Sequence, residues 1–268
     1  MLYDGNGNII VIEGDANVTT GSSSQNVRSV NHRGYNTVAP ENTLPAYILS
    51  KKKGFQCAEC DVSFTSDGVA VLLHDDTIDR TSNGTGKISE LTYEEVATLD
   101  FGSWKSEEYA GTKIPTFAEF IKLCKEIDLH PYIELKSGTQ AQVEGIVAAV
   151  KAAGMKGKVT YISFSKVCLG YVKNVDPAAR LGLVCAEITD TIIANAQTLR
   201  ADTNEVFIDA SYSAITDETM ALCAAAGIPL EVWTINWESW FNNMKLYVSG
   251  VTSDSLVAGE ILYKKNMT

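Results

Sequence analysis

Three acidic residues occupy positions from which their side chains could share one metal ion. Glu59 and Asp61 are two residues apart in a predicted strand, so both side chains point to the same face. Adjacent carboxylates on an inward face repel each other unless a positive charge neutralises them, and Glu134 in another predicted strand adds to that repulsion. A divalent cation with oxygen ligands, Mg2+ or Ca2+, resolves the conflict. Ion pairs with Arg33 or Lys136 are the alternative.

Two histidines fall at the ends of apolar runs, where they could do chemistry beside these carboxylates. His32 ends one predicted strand and His74 ends another. An imidazole exchanges protons near neutral pH, which suits general acid and base catalysis. The third histidine, His130, precedes Pro131 at the start of a strand, which favours a structural role. A metal ion, two histidines and Lys136 together suit phosphoryl chemistry, because the cations can stabilise anionic oxygens.

The composition limits the classes of protein to which the chain can belong. It has 268 residues, of which 45% are hydrophobic and 21% charged, and its net charge is −11. Wholesale disorder is excluded, and general nucleic-acid binding is disfavoured because it needs clustered Lys and Arg. No apolar run is long enough for a membrane span. The first residues lack the basic start and apolar stretch of a signal peptide, and the compartment stays open.

The cysteines predict neither a disulfide framework nor a zinc site. Six cysteines in a chain of this length are too sparse for a disulfide scaffold. Cys57 and Cys60 form a C-x-x-C motif, but on a strand they would point to opposite faces. We therefore interpret them as small buried apolar residues.

The hydrophobic pattern predicts alternating strands and helices from residue 27 onward. The main strands are predicted at residues 27–32, 55–64, 129–135, 158–164, 180–184, 206–209, 228–234 and 250–252, with a further run at 69–74. Helices are predicted at 43–53, 116–127, 141–153, 166–174, 189–199, 216–226 and 237–248. This alternation and length are typical of a (β/α)8 TIM barrel in the α/β class. A doubly wound open sheet is the alternative, but no glycine-rich fingerprint follows the first strand.

Two segments fall outside this alternation. Residues 1–27 form an N-terminal extension, for which we predict a short strand or hairpin within residues 2–12 and a flexible linker or extended arm, rich in Gly and Ser, at 14–26. This arm is a candidate for oligomerisation or for attachment to a partner, and a poorly ordered tail is the alternative. Residues 75–115 are too long for an ordinary connection and predict an elaborated loop near the active face. The barrel domain is assigned to residues 28–268.

Several short motifs occur in the order found in a known enzyme family. They are His32-Arg33-Gly34, Pro40-Glu41-Asn42-Thr43, Glu59-Cys60-Asp61-Val62, His74-Asp75, Asp79-Arg80-Thr81, Gly84-Thr85-Gly86, Ile114-Pro115-Thr116, Glu134-Leu135-Lys136 and Trp233-Thr234. With this ordered set the sequence resembles the glycerophosphodiester phosphodiesterases over residues 28 to about 260. The resemblance implies a (β/α)8 barrel that hydrolyses a small-molecule glycerophosphodiester to glycerol 3-phosphate and an alcohol.

The resemblance also implies roles for individual residues. The implied acid–base pair is His32 and His74. The implied ligands of one divalent cation, Mg2+ or Ca2+, are Glu59, Asp61 and Glu134. The implied substrate contacts are Arg33, Lys136 and Trp233. Residues 75–115 would be the small insertion that the family carries after its second strand.

The last predicted strand departs from the family pattern Gly-x-Asp-Gly-x-x-Thr-Asp. Gly250 and Asp254 match it, but Ser249 stands where Asp is usual and Ser253 where Thr is usual. What this strand contributes to the pocket is therefore open at this point.

Two other functions stay open beside simple hydrolysis. A related barrel acting on phospholipid head groups could form a cyclic phosphate, and a barrel without catalysis could serve as a binding module. The aromatic residues Trp237, Trp240 and Phe241 bear on the first of these. They could form an apolar lip for a lipid-like group, although packing of a helix against the barrel is the more common use of such spacing.

Overall fold

Parallel strands that close on themselves form the frame of the molecule. The computed structural model describes residues 2–3, 9–10, 27–240 and 247–256. Its strands are β1 (Leu2–Tyr3), β2 (Ile9–Ile10), β3 (Arg28–Asn31), β4 (Cys57–Phe64), β5 (Ala70–Leu72), β6 (His130–Leu135), β7 (Thr160–Ser163), β8 (Arg180–Cys185), β9 (Val206–Ser211), β10 (Leu230–Trp233) and β11 (Gly250–Ser253). In this part of the chain the main sheet runs β3-β11-β10-β9-β8-β7-β6-β4-β5. All of these strands except β5 pair in parallel, and the pairing of β3 with β4 closes an eight-stranded barrel. The predicted (β/α)8 TIM barrel is confirmed.

Helices follow most of the barrel strands and cover the outside of the barrel. They are α1 (Leu44–Lys53), α2 (Tyr93–Ala97), α3 (Phe117–Glu126), α4 (Gln140–Ala152), α5 (Lys166–Val175), α6 (Asp190–Leu199) and α7 (Asp217–Ala225). Threonines begin several of them, because a hydroxyl can accept a hydrogen bond from an unpaired amide of the first turn. Thr116 and Glu119, for example, form a reciprocal capping box at α3. The helix predicted at 237–248 lies partly outside the described residues.

Successive side chains along each strand point alternately into the barrel and towards the helices, which produces two separate apolar clusters. One cluster fills the barrel interior and consists of Val30, Cys57, Tyr132, Ile162, Val184 and Phe207. A larger cluster packs the outer strand faces against the helices. Cys57 belongs to the interior cluster and Cys60 to the outer one, as expected for opposite faces. Both thiols are free and buried, which agrees with a packing role.

A buried ion pair closes the interior at the amino-terminal ends of the strands. The Arg180 guanidinium donates to Oε1 of Glu231 at 2.7 Å and lies 4.1 Å from the centre of the Phe207 ring. Arg180 also donates to the Tyr132 hydroxyl at 2.9 Å. The neighbouring strand supplies only a hydrogen at Gly250, where an added β-carbon would lie 2.5 Å from the Glu231 carboxyl carbon. This floor leaves the carboxyl ends of the strands as the open end of the barrel.

The insertion between β5 and α3 is folded, with a small core of its own. That core contains Val71, Leu73, Ile78, Ile88, Val96, Phe101 and Ile114. The strand β5 pairs antiparallel with the carboxyl-terminal end of β4. It is therefore not one of the eight parallel barrel strands, and the insertion begins with it. The sequence predicts an elaborated loop here, and the structure adds α2 and two short 3-10 helices at Ile88–Glu90 and Glu107–Tyr109.

At the N-terminus, β1 and β2 pair antiparallel, with Leu2 opposite Ile10 and Tyr3 opposite Ile9. The residues that connect the two strands lie outside the described part of the chain, so the N-terminal arm stays a prediction. The predicted linker at residues 14–26 lies outside the described residues, and oligomerisation through residues 1–27 stays a prediction. Among the described residues, every helix is too short or too polar to cross a bilayer.

The floor generates a stability prediction. We expect Gly250→Ala to lower the free energy of unfolding by about 1–3 kcal/mol, because the new methyl group collides with the buried Glu231 carboxyl. Gly145→Ala is the matched control, since its β-carbon would meet no atom within 4 Å. We expect that control to gain up to about 1 kcal/mol from helix propensity. Urea unfolding followed by tryptophan fluorescence measures both variants, and equal stabilities would contradict the close contact.

Candidate active site

A cavity of about 190 Å³ opens among the carboxyl ends of the barrel strands. It is lined by His32, Arg33, Glu59, His74, Glu134, Lys136, Ile162, Phe164, Val184, Asp209, Trp233 and Thr252. Active sites of TIM barrels lie at this end, because the loops there carry residues from many strands. Seven of these lining residues are ones that the sequence singled out.

The acidic residues predicted from the sequence meet at this cavity. The parallel register of β4 and β6 pairs Asp61 with Glu134, and Glu59 lies two residues earlier on β4. Each of the three carboxylates offers one oxygen, and these oxygens all lie within 4.8 Å of one another. The predicted common face of Glu59 and Asp61 is confirmed by this convergence.

Crowding and burial make ionisation of Glu59 and Glu134 unfavourable. Burial, with the charges of Asp61 and Glu134, raises the pKa of Glu59 well above its usual value. Burial and the Asp61 charge raise the pKa of Glu134 to about 7, although Lys136 and Arg33 oppose the shift. A cation among these oxygens would reverse both effects.

The cluster fits a hard divalent cation although basic residues already border it. Arg33 Nε lies 3.4 Å and Lys136 Nζ 3.6 Å from oxygens of Asp61, so the predicted ion pairs are present as well. They leave Glu59 Oε1 buried and without a hydrogen-bond partner among the described residues. Three carboxylates with one unpaired buried oxygen are the hard donors that Mg2+ and Ca2+ prefer.

A tight turn after β3 brings further donors to the cluster. Arg33 has the left-handed φ of 54°, and its backbone amide donates to Glu59 Oε2 at 2.8 Å. The Asn42 side chain donates to Asp61 Oδ2 at 2.8 Å and accepts from the Asp61 amide. The Tyr47 hydroxyl in turn donates to Asn42. These bonds hold Glu59 and Asp61 in place on one side.

His32 is held by a carboxylate at the end of the last strand. Its Nδ1 lies 2.8 Å from Asp254 Oδ1, and Asp254 also accepts from Asn36 and Asn236 at 2.6 Å. Burial alone would raise the pKa of Asp254, but these hydrogen bonds outweigh it and lower the pKa to about 2. The ionised carboxylate therefore accepts from Nδ1 of His32, which directs the other ring nitrogen away from it.

His74 is held in the same way by the insertion. Its Nδ1 lies 2.7 Å from Asp75 Oδ1, and Arg80 donates to Asp75 Oδ2 at 2.6 Å. Arg80 also makes two hydrogen bonds of 2.8 Å to Glu41, which accepts from Arg33 as well. The hydrogen bonds from Arg80 keep the pKa of Asp75 well below its usual range. A continuous polar chain thus joins His74 to Arg33.

The remaining predicted residues divide between the cavity and other places. Trp233 lines the cavity, with its ring 5.9 Å from that of Phe164 and its indole N–H donating to the Asp209 carbonyl. Trp237 and Trp240 instead pack edge-on against Tyr212, and Phe241 lies outside the described residues. Trp237 is 52% exposed, whereas Trp240 is half-buried and packs against the core.

The third histidine lies far from the cavity, at the beginning of β6. The Nε2 of His130 bonds the Thr160 hydroxyl at 2.9 Å, and burial lowers the pKa of His130 to about 4. This agrees with the structural role predicted for it.

Sequence reasoning missed several residues at the site. Asp209, buried at the cavity wall, ended a predicted strand but was not singled out. Its spacing from the interior Phe207 was the available signal, because residues two apart on a strand share a face. The support that Asp254, Asp75 and Arg80 give to the histidines depends on contacts distant in sequence. The last strand departs from the family pattern at Ser249 and Ser253, but it still supplies a carboxylate to the site, because Asp254 contacts His32.

Comparison with known proteins agrees with this geometry. The glycerophosphoryl diester phosphodiesterase family model matches residues 32–257. The chain belongs to that family. A glycerophosphodiester phosphodiesterase from Caldanaerobacter subterraneus subsp. tengcongensis is 32% identical over 229 residues, which are 83% of this chain and 92% of the relative. One from Bacillus subtilis is 28% identical over 81% of this chain and 79% of its own length.

Solved structures agree as well. An Oleispira antarctica phosphodiesterase in complex with the product sn-glycerol-3-phosphate is 27% identical and superposes with a TM-score of 0.77. The match covers 89% of this chain and 96% of that one. A glycerophosphodiester phosphodiesterase from Agrobacterium tumefaciens, also 27% identical, gives a TM-score of 0.71. The predicted family and the predicted enzyme class, a phosphoric diester hydrolase, are confirmed.

The contact between Asp254 and His32 generates a prediction for activity. We expect Asp254→Asn to lower phosphodiesterase kcat by about 10²–10⁴-fold, because His32 loses the anion that fixes its orientation. Asp202→Asn, at an exposed position, is the matched control and should keep full activity. Full activity of the Asp254 variant would contradict an orienting role.

The same variant should have a characteristic stability profile. The pKa of Asp254 is lowered on folding to about 2 from 3.8, so the stabilisation is complete above about pH 4 and disappears as the pH falls towards 2. The difference in thermal midpoint between parent and Asp254→Asn should therefore shrink over that interval. Thermal scans in buffers from pH 2 to 7 measure it.

Proposed function

We propose that the protein hydrolyses glycerophosphodiesters to glycerol 3-phosphate and an alcohol, using one divalent cation and two histidines. The observation that carries the proposal is the presence of two carboxylate-oriented histidines, His32 and His74, beside a three-carboxylate cluster in one cavity. The glycerol 3-phosphate complex of the Oleispira antarctica relative supports the identity of the product.

The cation would be held by Glu59, Asp61 and Glu134. The fit rests on their converging oxygens and on the unpaired Oε1 of Glu59. When bound, Mg2+ or Ca2+ supplies positive charge that neutralises the carboxylates and stabilises negative charge developing on the phosphoryl oxygens.

Two basic side chains complete a site for the phosphodiester. Arg33 and Lys136 line the cavity and lie close to Asp61. A phosphodiester brings anionic oxygens that both cations can bind, and the guanidinium of Arg33 can bind two oxygens at once. Glu41 and Arg80 support Arg33 from behind, which limits the positions that its guanidinium can adopt.

The two histidines would divide the proton transfers. Asp254 binds Nδ1 of His32 and Asp75 binds Nδ1 of His74, so Nε2 of each ring is available to the substrate. One imidazole takes the proton of the attacking water and the other gives a proton to the leaving alkoxide.

Metal dependence is the first prediction from this proposal. Dialysis against EDTA should abolish release of glycerol 3-phosphate from glycerophosphocholine, and added Mg2+ or Ca2+ should restore it. The metal should also raise the thermal midpoint, because it binds only the folded chain. Glu59→Gln should remove both effects, whereas Glu187→Gln, at an exposed position, should keep them.

Analysis of the products and of the thermal midpoint separates hydrolysis from cyclic phosphate formation and from a non-catalytic binding module. A persistent cyclic phosphate in 31P NMR spectra of the products would indicate intramolecular attack instead of hydrolysis by water. A metal-dependent shift of the thermal midpoint without release from glycerophosphocholine, glycerophosphoethanolamine or a lysophospholipid would favour a binding module.

The roles of the histidines give a second prediction. His32→Ala and His74→Ala should each lower kcat by at least about 100-fold, since each removes a general acid or base. Both should keep the metal-induced rise in thermal midpoint, because neither residue belongs to the carboxylate cluster. His130→Gln is the matched control at the other end of the barrel and should keep kcat when assayed below its thermal midpoint. Retained turnover in either alanine variant would refute the assignment.

A further inference from the structure

One buried carboxyl of the cavity has no role in the chemistry proposed above. Asp209 lies on β9, is 3% exposed and lines the cavity. It does not belong to the carboxylates whose oxygens converge within 4.8 Å. Its Oδ1 is buried and finds no hydrogen-bond partner in the described part of the chain. Because an unpaired buried oxygen is unfavourable, a ligand that supplies a donor there would be bound selectively.

The surroundings hold this carboxyl at the wall without occupying it. In the barrel register Asp209 stands between Val184 of β8 and Glu231 of β10. Glu231 is bound by Arg180 at the floor, and among the described residues it makes no hydrogen bond to Asp209 Oδ1. The Trp233 indole donates to the backbone carbonyl of Asp209 and not to its side chain. The carboxyl is therefore fixed in position and still available.

The cavity has a polar side and a mainly apolar side. His32, Arg33, Glu59, His74, Glu134 and Lys136 form the polar side, where the phosphate and the cation would be held. Ile162, Phe164, Val184 and Trp233 supply most of the rest, and Asp209 is the carboxyl among them. The part of a substrate that reaches this side must offer carbon surface to the aromatic rings and a hydrogen-bond donor to Asp209.

A short polyol ester has that combination of groups. A glycerol moiety carries hydroxyls on a three-carbon chain, and a carboxyl oxygen accepts a hydrogen bond from a hydroxyl in either protonation state. A site built to bond a hydroxyl discriminates strongly against an analogue that lacks it, because the buried polar group then stays unpaired.

We propose that Asp209 determines substrate specificity by hydrogen-bonding a hydroxyl of the glycerol moiety, so that the cavity selects glycerol esters over simple alkyl esters. The inference rests on the proposed function for its choice of substrate. Binding of the phosphate product tests it without requiring turnover.

The experiment compares two phosphates that differ only in hydroxyls. Calorimetry measures the affinity of sn-glycerol 3-phosphate and of n-propyl phosphate for the Ca2+-loaded parent, Asp209→Leu and Asp209→Asn. We expect the parent to prefer glycerol 3-phosphate by about tenfold or more. Asp209→Leu should reduce this preference to less than about threefold by weakening glycerol 3-phosphate alone. Asp209→Asn, which keeps an acceptor of the same shape, should retain most of the preference.

The remaining outcomes would overturn the inference. An unchanged preference in Asp209→Leu means that the carboxyl does not contact the hydroxyls, and equal weakening of both ligands means a general effect on the cavity. Phosphocholine is measured as a third ligand, and a loss of its binding in Asp209→Leu without a loss of glycerol 3-phosphate binding would mean that Asp209 recognises a cationic alcohol. Asp202→Leu, at an exposed position, is the matched control for the charge change. A thermal scan checks that each variant is folded.

The inference and the proposed function fail in different ways. If the parent binds glycerol 3-phosphate selectively but releases it from no diester, the proposed reaction is wrong and the role of Asp209 stands. If release occurs and Asp209→Leu changes no preference, the reaction stands and the role of Asp209 is wrong.

Discussion

The convergence of three carboxylates at the mouth of the barrel is the constraint on which the rest of the site depends. Glu59, Asp61 and Glu134 bring oxygens within 4.8 Å of one another. Glu59 and Asp61 are buried and Glu134 is half-buried, so repulsion between their like charges is poorly screened by water. Neighbouring hydrogen-bond donors and positively charged groups reduce this repulsion. The amide of Arg33, the carboxamide of Asn42 and the ammonium of Lys136 all face this cluster. Under the proposed function, this arrangement costs local stability and would provide a place for a divalent cation.

The two ends of the barrel interior treat buried acid in opposite ways. At the floor, Glu231 is paired with Arg180, and Gly250 leaves room for its carboxyl. At the mouth, Glu59 and Asp209 each keep a buried carboxyl oxygen that has no hydrogen-bond partner in the described part of the chain. The ion pair at the floor stabilises the barrel, whereas the carboxyl oxygens without partners at the mouth can accept hydrogen bonds from a ligand. This contrast agrees with the proposed binding of substrate and cation at the mouth of the barrel.

The histidines are positioned by parts of the chain that lie far from them in sequence or belong to the insertion. Asp254, which follows the last strand, holds His32 near the end of the first barrel strand. That contact exists only because β11 pairs with β3 and closes the barrel. Asp75 holds His74, and Arg80 ties the pair to Glu41 beside the first helix. The placement of the proposed acid–base pair is therefore coupled to barrel closure, and the insertion supports the site as part of the same network.

The sequence by itself determined the alternation of strands and helices, the common face of Glu59 and Asp61, and the histidines at strand ends. These features follow from local periodicity and residue type, which are legible along the chain. The bounds of β5 and the helix α2 within the insertion were not determined in this way, because their packing depends on a separate small core. Only the tertiary structure decided that Asp254 orients His32, that Arg80 links His74 to Glu41, and that Asp209 faces the cavity. Those relations join residues brought together by barrel closure and by docking of the insertion, and no local pattern encodes such distances.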